Sequence, residues 1–422
     1  MNILLIGGGG REHAIARALR LSPSSDNLYS YPGNPGIWQF APKAEIQKFD
    51  FNFIIDFCKS NNINLVVVGP EKPLADGITD ILIENGIKVF GPSKQAARLE
   101  SSKGFAKDFM ARHNIPTAKY KIFSEEDKKT ADEYLNTCKF PLVLKADGLA
   151  AGKGVIIAQE IQSAQQTLDS MFDGLFSDAG KTVVIEEFLL GVEASILAIC
   201  DGKDYITLPS SQDHKRAMDD DLGKNTGGMG AYSPAPIVTE SVMNKVHEKI
   251  LRPAIEGMRA EGFPFTGCLY AGLMIHDEEP KVVEFNVRFG DPETQSVLSI
   301  FEGDFAKLLY SAACGKIDTS AIKNSSNKHA CCVILASEGY PDEYEKGFEI
   351  TGIEEVEKTG AIVYHSGTRL NEGKLLSDGG RVLGVTGVST TLKTALEQAY
   401  NAVRKINFSN MYFRKDIGKK AL

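Results

Sequence analysis

Two periods organise the apolar positions of this chain. Residues 2–6 read as a short buried strand with an apolar run over 3–6, four glycines occupy 7–10, and residues 11–21 place Ala14, Ile15, Ala18 and Leu19 on one helical stripe. A second strand is predicted over 27–31, broken by Pro32-Gly33-Asn34-Pro35-Gly36. A helix follows over 51–61, then a strand over 65–68 ending in Gly69-Pro70-Glu71, a further helix, and a strand over 88–90 closing with Gly91-Pro92. Strands alternating with helices, with glycine turns at the strand C-termini, predict an α/β unit with a parallel sheet and ligands at those ends.

The pattern then changes. After a helix over 103–113, strands are expected at 141–146, 155–158, 182–188, 193–201 and 204–209. A glycine-rich segment, Asp147-Gly148-Leu149-Ala150-Ala151-Gly152-Lys153-Gly154, joins the first two. Residues 210–236 are polar, glycine-rich and almost without periodicity, so they read as a long functional loop. A helix over 240–261, strands over 267–275 and 282–289 and another helix complete this part. The last hundred or so residues alternate strands with short helices. We therefore expect three units: 1–102, 103–326 with a smaller subdomain at about 118–190, and 327–422, mostly α/β and α+β in parts.

Composition narrows the class. With 422 residues, 43% hydrophobic and 24% charged, the chain has the make-up of a folded globular protein of about three domains. A net charge of −8 argues against a nucleic-acid scaffold, so an anionic ligand must be held by local basic groups and backbone N–H. Seven scattered cysteines without a C-x-x-C pattern suit reduced thiols in a cytosol rather than a disulfide framework or zinc site. The first apolar run is too short for a signal peptide, and no run approaches a spanning helix. A cytoplasmic protein is expected.

The densest chemistry lies in Lys281-Val282-Val283-Glu284-Phe285-Asn286-Val287-Arg288-Phe289, followed by Gly290-Asp291-Pro292-Glu293. In a strand, Glu284, Asn286 and Arg288 share one face and Val283, Phe285, Val287 and Phe289 the other. Oxygen ligands of this kind suit Mg²⁺ shared with nucleotide phosphates, and an arginine fork suits phosphate or carboxylate. An amphipathic strand with a solvated face is the plainer alternative. The forced turn at Gly290-Asp291-Pro292 favours the floor of a phosphoryl-transfer site.

Other segments extend this picture. Gly7-Gly8-Gly9-Gly10 sits between strand and helix, where anions bind. Glu12 stands where a dinucleotide fingerprint wants glycine, so a small phosphate ester beside Arg11 is the better reading. The 148–154 segment imitates a P-loop but has only three residues between its glycines and no Ser or Thr for Mg²⁺. It reads as a flap over phosphates, with Lys145 aimed at the same place. Glu186 and Glu193 could hold a nucleoside through its base amine and ribose hydroxyls. Asp213-His214-Lys215-Arg216 and Asn225-Thr226-Gly227-Gly228-Met229-Gly230 crowd donors and bare backbone into one stretch.

Together these residues resemble the phosphoribosylamine–glycine ligase family of ATP-grasp enzymes. The resemblance runs through Gly9-Gly10-Arg11-Glu12-His13, the 32–36, 68–71 and 99–103 motifs, the 145–154 flap, the 211–216 and 225–234 loops, 284–295 and 413–418. It implies a Rossmann-like N-terminal domain, an ATP-grasp core with a glycine flap and a small C-terminal α/β domain. It also implies ligation of glycine to 5-phosphoribosylamine through an acyl phosphate, with ATP and Mg²⁺ or Mn²⁺ and no nucleic-acid or membrane partner, by a monomer or weak homodimer.

By the same resemblance, Glu284 and Asn286 bind the metal, while Lys103, Lys145, Gly152, Lys153 and Gly154 attend the phosphates. Glu186, Glu187, Phe188 and Leu189 hold adenine and Glu193 the ribose. Arg288 stabilises the transferring phosphoryl group. Gly9, Gly10, Arg11, Asn34 and Glu71 hold phosphoribosylamine, and Asp213, Lys215, Gly227, Gly228 and Asp291 frame glycine and the acyl phosphate.

Overall fold

Ile3 to Ile6 carry no polar side chain, and the strand they form is buried on both faces, as parallel strands covered by helices are. This strand, β1 (Asn2–Gly7), lies between β2 (Asn27–Pro32) and β3 (Leu65–Val68), with β4 (Val89–Phe90) beyond, all parallel in the order β2-β1-β3-β4. The order switches between β1 and β3, so Gly7 and the Gly69-Pro70-Glu71 turn open onto one crevice. The computed structural model describes residues 1–149, 154–323 and 327–422.

Two antiparallel sheets follow. A small one orders β5 (Tyr120–Ser124), β8 (Thr182–Glu187), β6 (Leu142–Ala146) and β7 (Val155–Ala158) as β5-β8-β6-β7, over its own core of Phe123, Leu135, Leu144, Leu168 and Ile185. The larger orders β9 (Val192–Asp201), β10 (Tyr205–Thr207), β15 (Thr266–His276) and β16 (Glu279–Asn286) as β10-β9-β15-β16. Its two faces pack into the cores that also cover the parallel sheet, so these two units share their interior.

Residues 210–236 are not the loop the composition suggests. They hold β11 (Gln212–Asp213), β12 (Arg216–Met218), β13 (Leu222–Asn225) and β14 (Gly230–Ser233). The strands are too short for periodicity to register. β11 and β14 are held because β14 inserts into the C-terminal sheet, in the order β11-β14-β17-β21-β18, beside β17 (His329–Ser337), β18 (Ile362–His365) and β21 (Arg381–Ser389). β12 and β13 pair only with each other. Between β18 and β21 a separate hairpin pairs β19 (Thr368–Asn371) with β20 (Lys374–Ser377), and β22 (Met411–Tyr412) pairs with the end of β17.

The helix expected over 240–261 is one rod, Glu240–Val246 and Arg252–Ala260 joined by a π turn at His247–Leu251. The strand expected over 282–289 begins earlier and ends at Asn286. A register shift opposite Gly272 and Leu273 makes Val282, not Val283, a core residue alongside Phe285 and Val287. Strict alternation misplaces Val283 for that reason: the extra residue in a β-bulge turns it off the core face.

Candidate active site

The bulge in β16 turns the Val283 carbonyl towards β6, where it accepts a hydrogen bond from Lys145 Nζ at 3.0 Å. Lys145 also stands 3.0 Å from Glu186 Oε1 on β8, although that oxygen accepts no aligned hydrogen bond. The other oxygen pairs with Lys107 Nζ at 2.9 Å, and Lys107 donates to Thr117 Oγ1 at 2.8 Å. Glu186 is therefore buried between two lysines. Burial lowers the Lys107 ammonium to about 8, with Glu186 opposing the shift. A narrow cavity of about 10 Å³ opens here, lined by Leu99, Lys103, Lys107, Lys145, Val283 and Glu284 among others.

Lys103 opens the helix Lys103–Arg112, whose first turn is capped by Ser102 Oγ and by Asp147 Oδ1 on the Gly104 N–H. Its ammonium donates to the Glu100 carbonyl at 3.0 Å. At the other side of the cavity Glu187 exchanges two hydrogen bonds with Lys119, its N–H to the Lys119 carbonyl and its carboxylate from the Lys119 N–H. Phe188 and Leu189 then leave the sheet without regular secondary structure. Of the glycine flap, Gly154 closes onto Ala146 through its carbonyl, while Gly152 and Lys153 lie outside the described residues.

Glu284 and Asn286 project over this cavity from β16, and among the described residues neither side chain has a hydrogen bond or ion pair to protein. Burial alone would raise the Glu284 carboxyl. Lys215, Lys103, Lys145 and Arg288 together overcome that and hold it at about 2. No cluster of three His, Cys, Asp or Glu able to hold a metal exists among the described residues. An uncommitted carboxylate and amide oxygen fit Mg²⁺, which takes one or two protein ligands and completes its shell with phosphate and water.

Arg288 lies just past the strand. Its Nη2 pairs with Glu100 at 3.0 Å and its Nε lies 3.5 Å from Glu71, without an aligned partner. Glu100 also accepts from the Val287 N–H at 2.8 Å, which fixes the end of β16. Glu71 stands between two guanidiniums, since Arg11 Nη1 is 3.9 Å away. Burial would raise its pKa, but Arg288 and Arg11 bring it below the usual carboxylate value. Arg11 further donates to Glu12 Oε1 (2.5 Å) and to the Phe289 carbonyl (3.2 Å).

The glycine turn is already partly capped, because Glu12 Oε2 accepts the Gly9 N–H at 2.6 Å. Asn34 is committed as well. Its amide donates to the carbonyls of Gly8 (2.9 Å) and His365 (2.8 Å), and its oxygen accepts from Ile37. It ties the N-terminal turn to the C-terminal segment.

At the third corner Lys215 pairs with Glu193 at 2.8 Å. Enclosure would lower its pKa, but Glu193 and Glu284 hold it above the ordinary lysine value. Asp213 is pushed well above the usual carboxylate range by enclosure and by the carboxylate of Glu293. Glu293 accepts from Tyr270 (2.9 Å) and Ser195 (3.3 Å) in a buried cluster. Gly228 turns at φ +106°, and a methyl there would stand 2.4 Å from Pro292 and 2.6 Å from Asp213. Asp291 accepts from Gln295 (2.7 Å) and pairs with Arg381 (3.2 Å).

Of the expected residues, Glu284 faces Lys103, Lys145, Lys215 and Arg288, and Glu71 faces Arg288 and Arg11. Lys107, Glu100, Tyr270, Glu293 and Arg381 neighbour members of the expected set. Lys107 had a signal: one turn after Lys103, it lies on the helix face that buries Ala106 and Met110. Arg381 had none.

A small antiparallel sheet offering a lysine, set against a larger one offering a Glu-x-Asn strand, defines the class of ATP-grasp ligases. Within it, the chain belongs to the phosphoribosylglycinamide synthetase family. Residues 1–100, 101–294 and 330–420 match that family's N, ATP-grasp (A) and C domains. The phosphoribosylamine–glycine ligase of Mesorhizobium japonicum is 46% identical over all of this chain and 99% of its own length. The chloroplastic one of Arabidopsis thaliana is 49% identical over 98% of this chain and 79% of its own.

The crystal structure of phosphoribosylamine–glycine ligase from Thermotoga maritima superposes with a TM-score of 0.86 at 34% identity, covering 99% of this chain and all of that one. Biotin carboxylase from Campylobacter jejuni shares the fold alone, with a TM-score of 0.72 at 15% identity over 98% of this chain and 92% of its own.

Proposed function

We propose that this chain ligates glycine to 5-phosphoribosylamine, with ATP converted to ADP and phosphate, as its relatives' name states. The observation that carries the reading is the convergence of Lys103, Lys145, Lys215 and Arg288 on Glu284, beside the Gly227-Gly228 and Asp291 frame. A carboxylate is a poor electrophile. Transfer of the terminal phosphoryl group to glycine gives an acyl phosphate, and the amine of phosphoribosylamine then displaces phosphate from the acyl carbon. Such chemistry needs positioning and charge neutralisation rather than a protein nucleophile.

Lys103 and Lys145 hold phosphates, with Glu186 and Lys107 fixing where Lys145 points. The 187–189 link faces adenine, and Glu193 takes the ribose while orienting Lys215. Arg288, braced by Glu100 and Glu71, neutralises charge on the transferring group. Gly10 and Arg11 with Glu71 receive phosphoribosylamine, Gly9 and Asn34 shaping that turn from behind. Asp213, Lys215, Gly227, Gly228 and Asp291 frame glycine. Glu284 and Asn286 hold a divalent cation, Mg²⁺ or Mn²⁺, which when bound neutralises phosphate charge. Flap residues Gly152, Lys153 and Gly154 cover the phosphates.

No helix among the described residues is long and apolar enough to cross a membrane, and a cytoplasmic monomer or weak homodimer is the accompanying proposal. The deciding measurement is ADP release from Mg·ATP with glycine, with and without freshly generated phosphoribosylamine. Release that needs both, with glycinamide ribonucleotide in equal amount, supports the reading. Release driven by bicarbonate or another acid would keep the fold and defeat the substrate.

A further inference from the structure

Gly227 sits in the turn between β13 and β14, and the C-terminal segment grips it from both sides. Its N–H donates to Tyr340 Oη at 3.0 Å, and its carbonyl accepts from Arg381 Nη1 at 2.5 Å. The same Nη1 donates to the Asp291 carbonyl at 2.7 Å and, at 3.5 Å, to that of Gly228. Nη2 meets Asp291 Oδ2 at 3.2 Å. The guanidinium is packed against Gly227, where a methyl would stand 2.9 Å from Arg381 Cζ. Tyr340 is seated as tightly, its ring filling the place a side chain on Gly380 would need.

We propose that Arg381 and Tyr340 are positioning residues that set the glycine-binding end of the site, by holding the Gly227-Gly228 turn and Asp291 in register. This rests on the ligase reading above. One planar fork reaches three carbonyls and a carboxylate on two loops far apart in sequence, which a point charge cannot do. A methyl on Gly228 would stand 2.4 Å from Pro292 and 2.6 Å from Asp213, so the turn that Arg381 holds is packed against both. The nucleotide end is held independently by the Lys107–Glu186–Lys145 group, which has no hydrogen bond or ion pair to Arg381.

Steady-state kinetics and thermal melts of Arg381→Ala, Arg381→Lys and Tyr340→Phe test this. The expected result is a rise in KM for glycine of about 10-fold in Arg381→Ala and about 3-fold in Tyr340→Phe, with KM for ATP within about 2-fold of the parent. Arg381→Lys should follow Arg381→Ala rather than the parent. A lower Tm with unchanged glycine KM, or equal rises in both KM values, would overturn the proposal. If Arg381→Ala does not fold, Tyr340→Phe, which removes a single oxygen, carries the decision. Failure of the parent enzyme to use glycine would instead defeat the functional reading, so the two failures are distinguishable.

Discussion

Glu284 shows how a single side chain here is defined by its surroundings. Four cations face a carboxylate with no ion pair of its own, and they hold its carboxyl at about 2 against an ordinary 4.5. A carboxylate depressed on folding stabilises the protein fully above its ordinary value and loses that contribution as the pH falls towards the depressed one. The Tm gap between the parent and Glu284→Gln is therefore expected to be widest near neutrality and to narrow below about pH 4.5. A gap that stays constant down to pH 3 would contradict this assignment. The same variant should weaken Mg·ATP binding in calorimetry, while metal-free ATP binding changes less.

Lys145 is argued at this scale too. A charge pair at contact distance is worth about 4 kcal/mol at an effective dielectric near 20, so Lys145→Ala should lower kcat/KM roughly 100-fold. A variant within threefold of the parent would remove Lys145 from the mechanism. Glu284, Asn286 and Arg288 stood out in the sequence because they share one face of a strand that runs into a forced turn, and Lys145 because it borders the glycine flap. Lys103 and Glu71 came only with the resemblance to the ligase family. Asn34 and Glu186 were legible as important, but their partners, the Gly8 and His365 carbonyls and the Lys107 ammonium, come from segments that no local pattern connects.

Among the elements, the parallel sheet read cleanly because β1 and β3 are apolar runs ending at glycine turns. The 210–236 segment did not, since its strands are two to four residues long and depend on tertiary partners. The β12–β13 hairpin is held from outside by Arg414, a fully buried guanidinium bonded to Asp416 (2.7 and 2.8 Å), Asp221 (2.9 Å) and the Arg216 carbonyl (3.0 Å). Arg414→Ala leaves Asp416 without its cation, while Asp221 keeps Lys420, and should cost about 3 kcal/mol. The expected readout is a lower melting midpoint with faster amide exchange across 216–225. Unchanged exchange there would show that the hairpin stands without the arginine.

For the whole molecule, the three segments recognisable in the sequence are not three separate folding units. The core under the C-terminal sheet combines Met229, Tyr232 and Ala235 with Cys331, Val333, Val385 and Leu396. A fragment of residues 327–422 lacks β14 and leaves one edge of β17 unpaired. It should therefore show no cooperative thermal transition, and a sharp melt with a dispersed amide spectrum would count against the shared core. Strand insertion has a further consequence during biosynthesis. Translation delivers β14 well before β17, so the two antiparallel sheets around Glu284 can assemble on the ribosome while the Gly227-Gly228 turn still waits for its scaffold. On the proposed reading, the amino-acid end of the site is completed last, and a chain that stops short of β17 would keep only the nucleotide end.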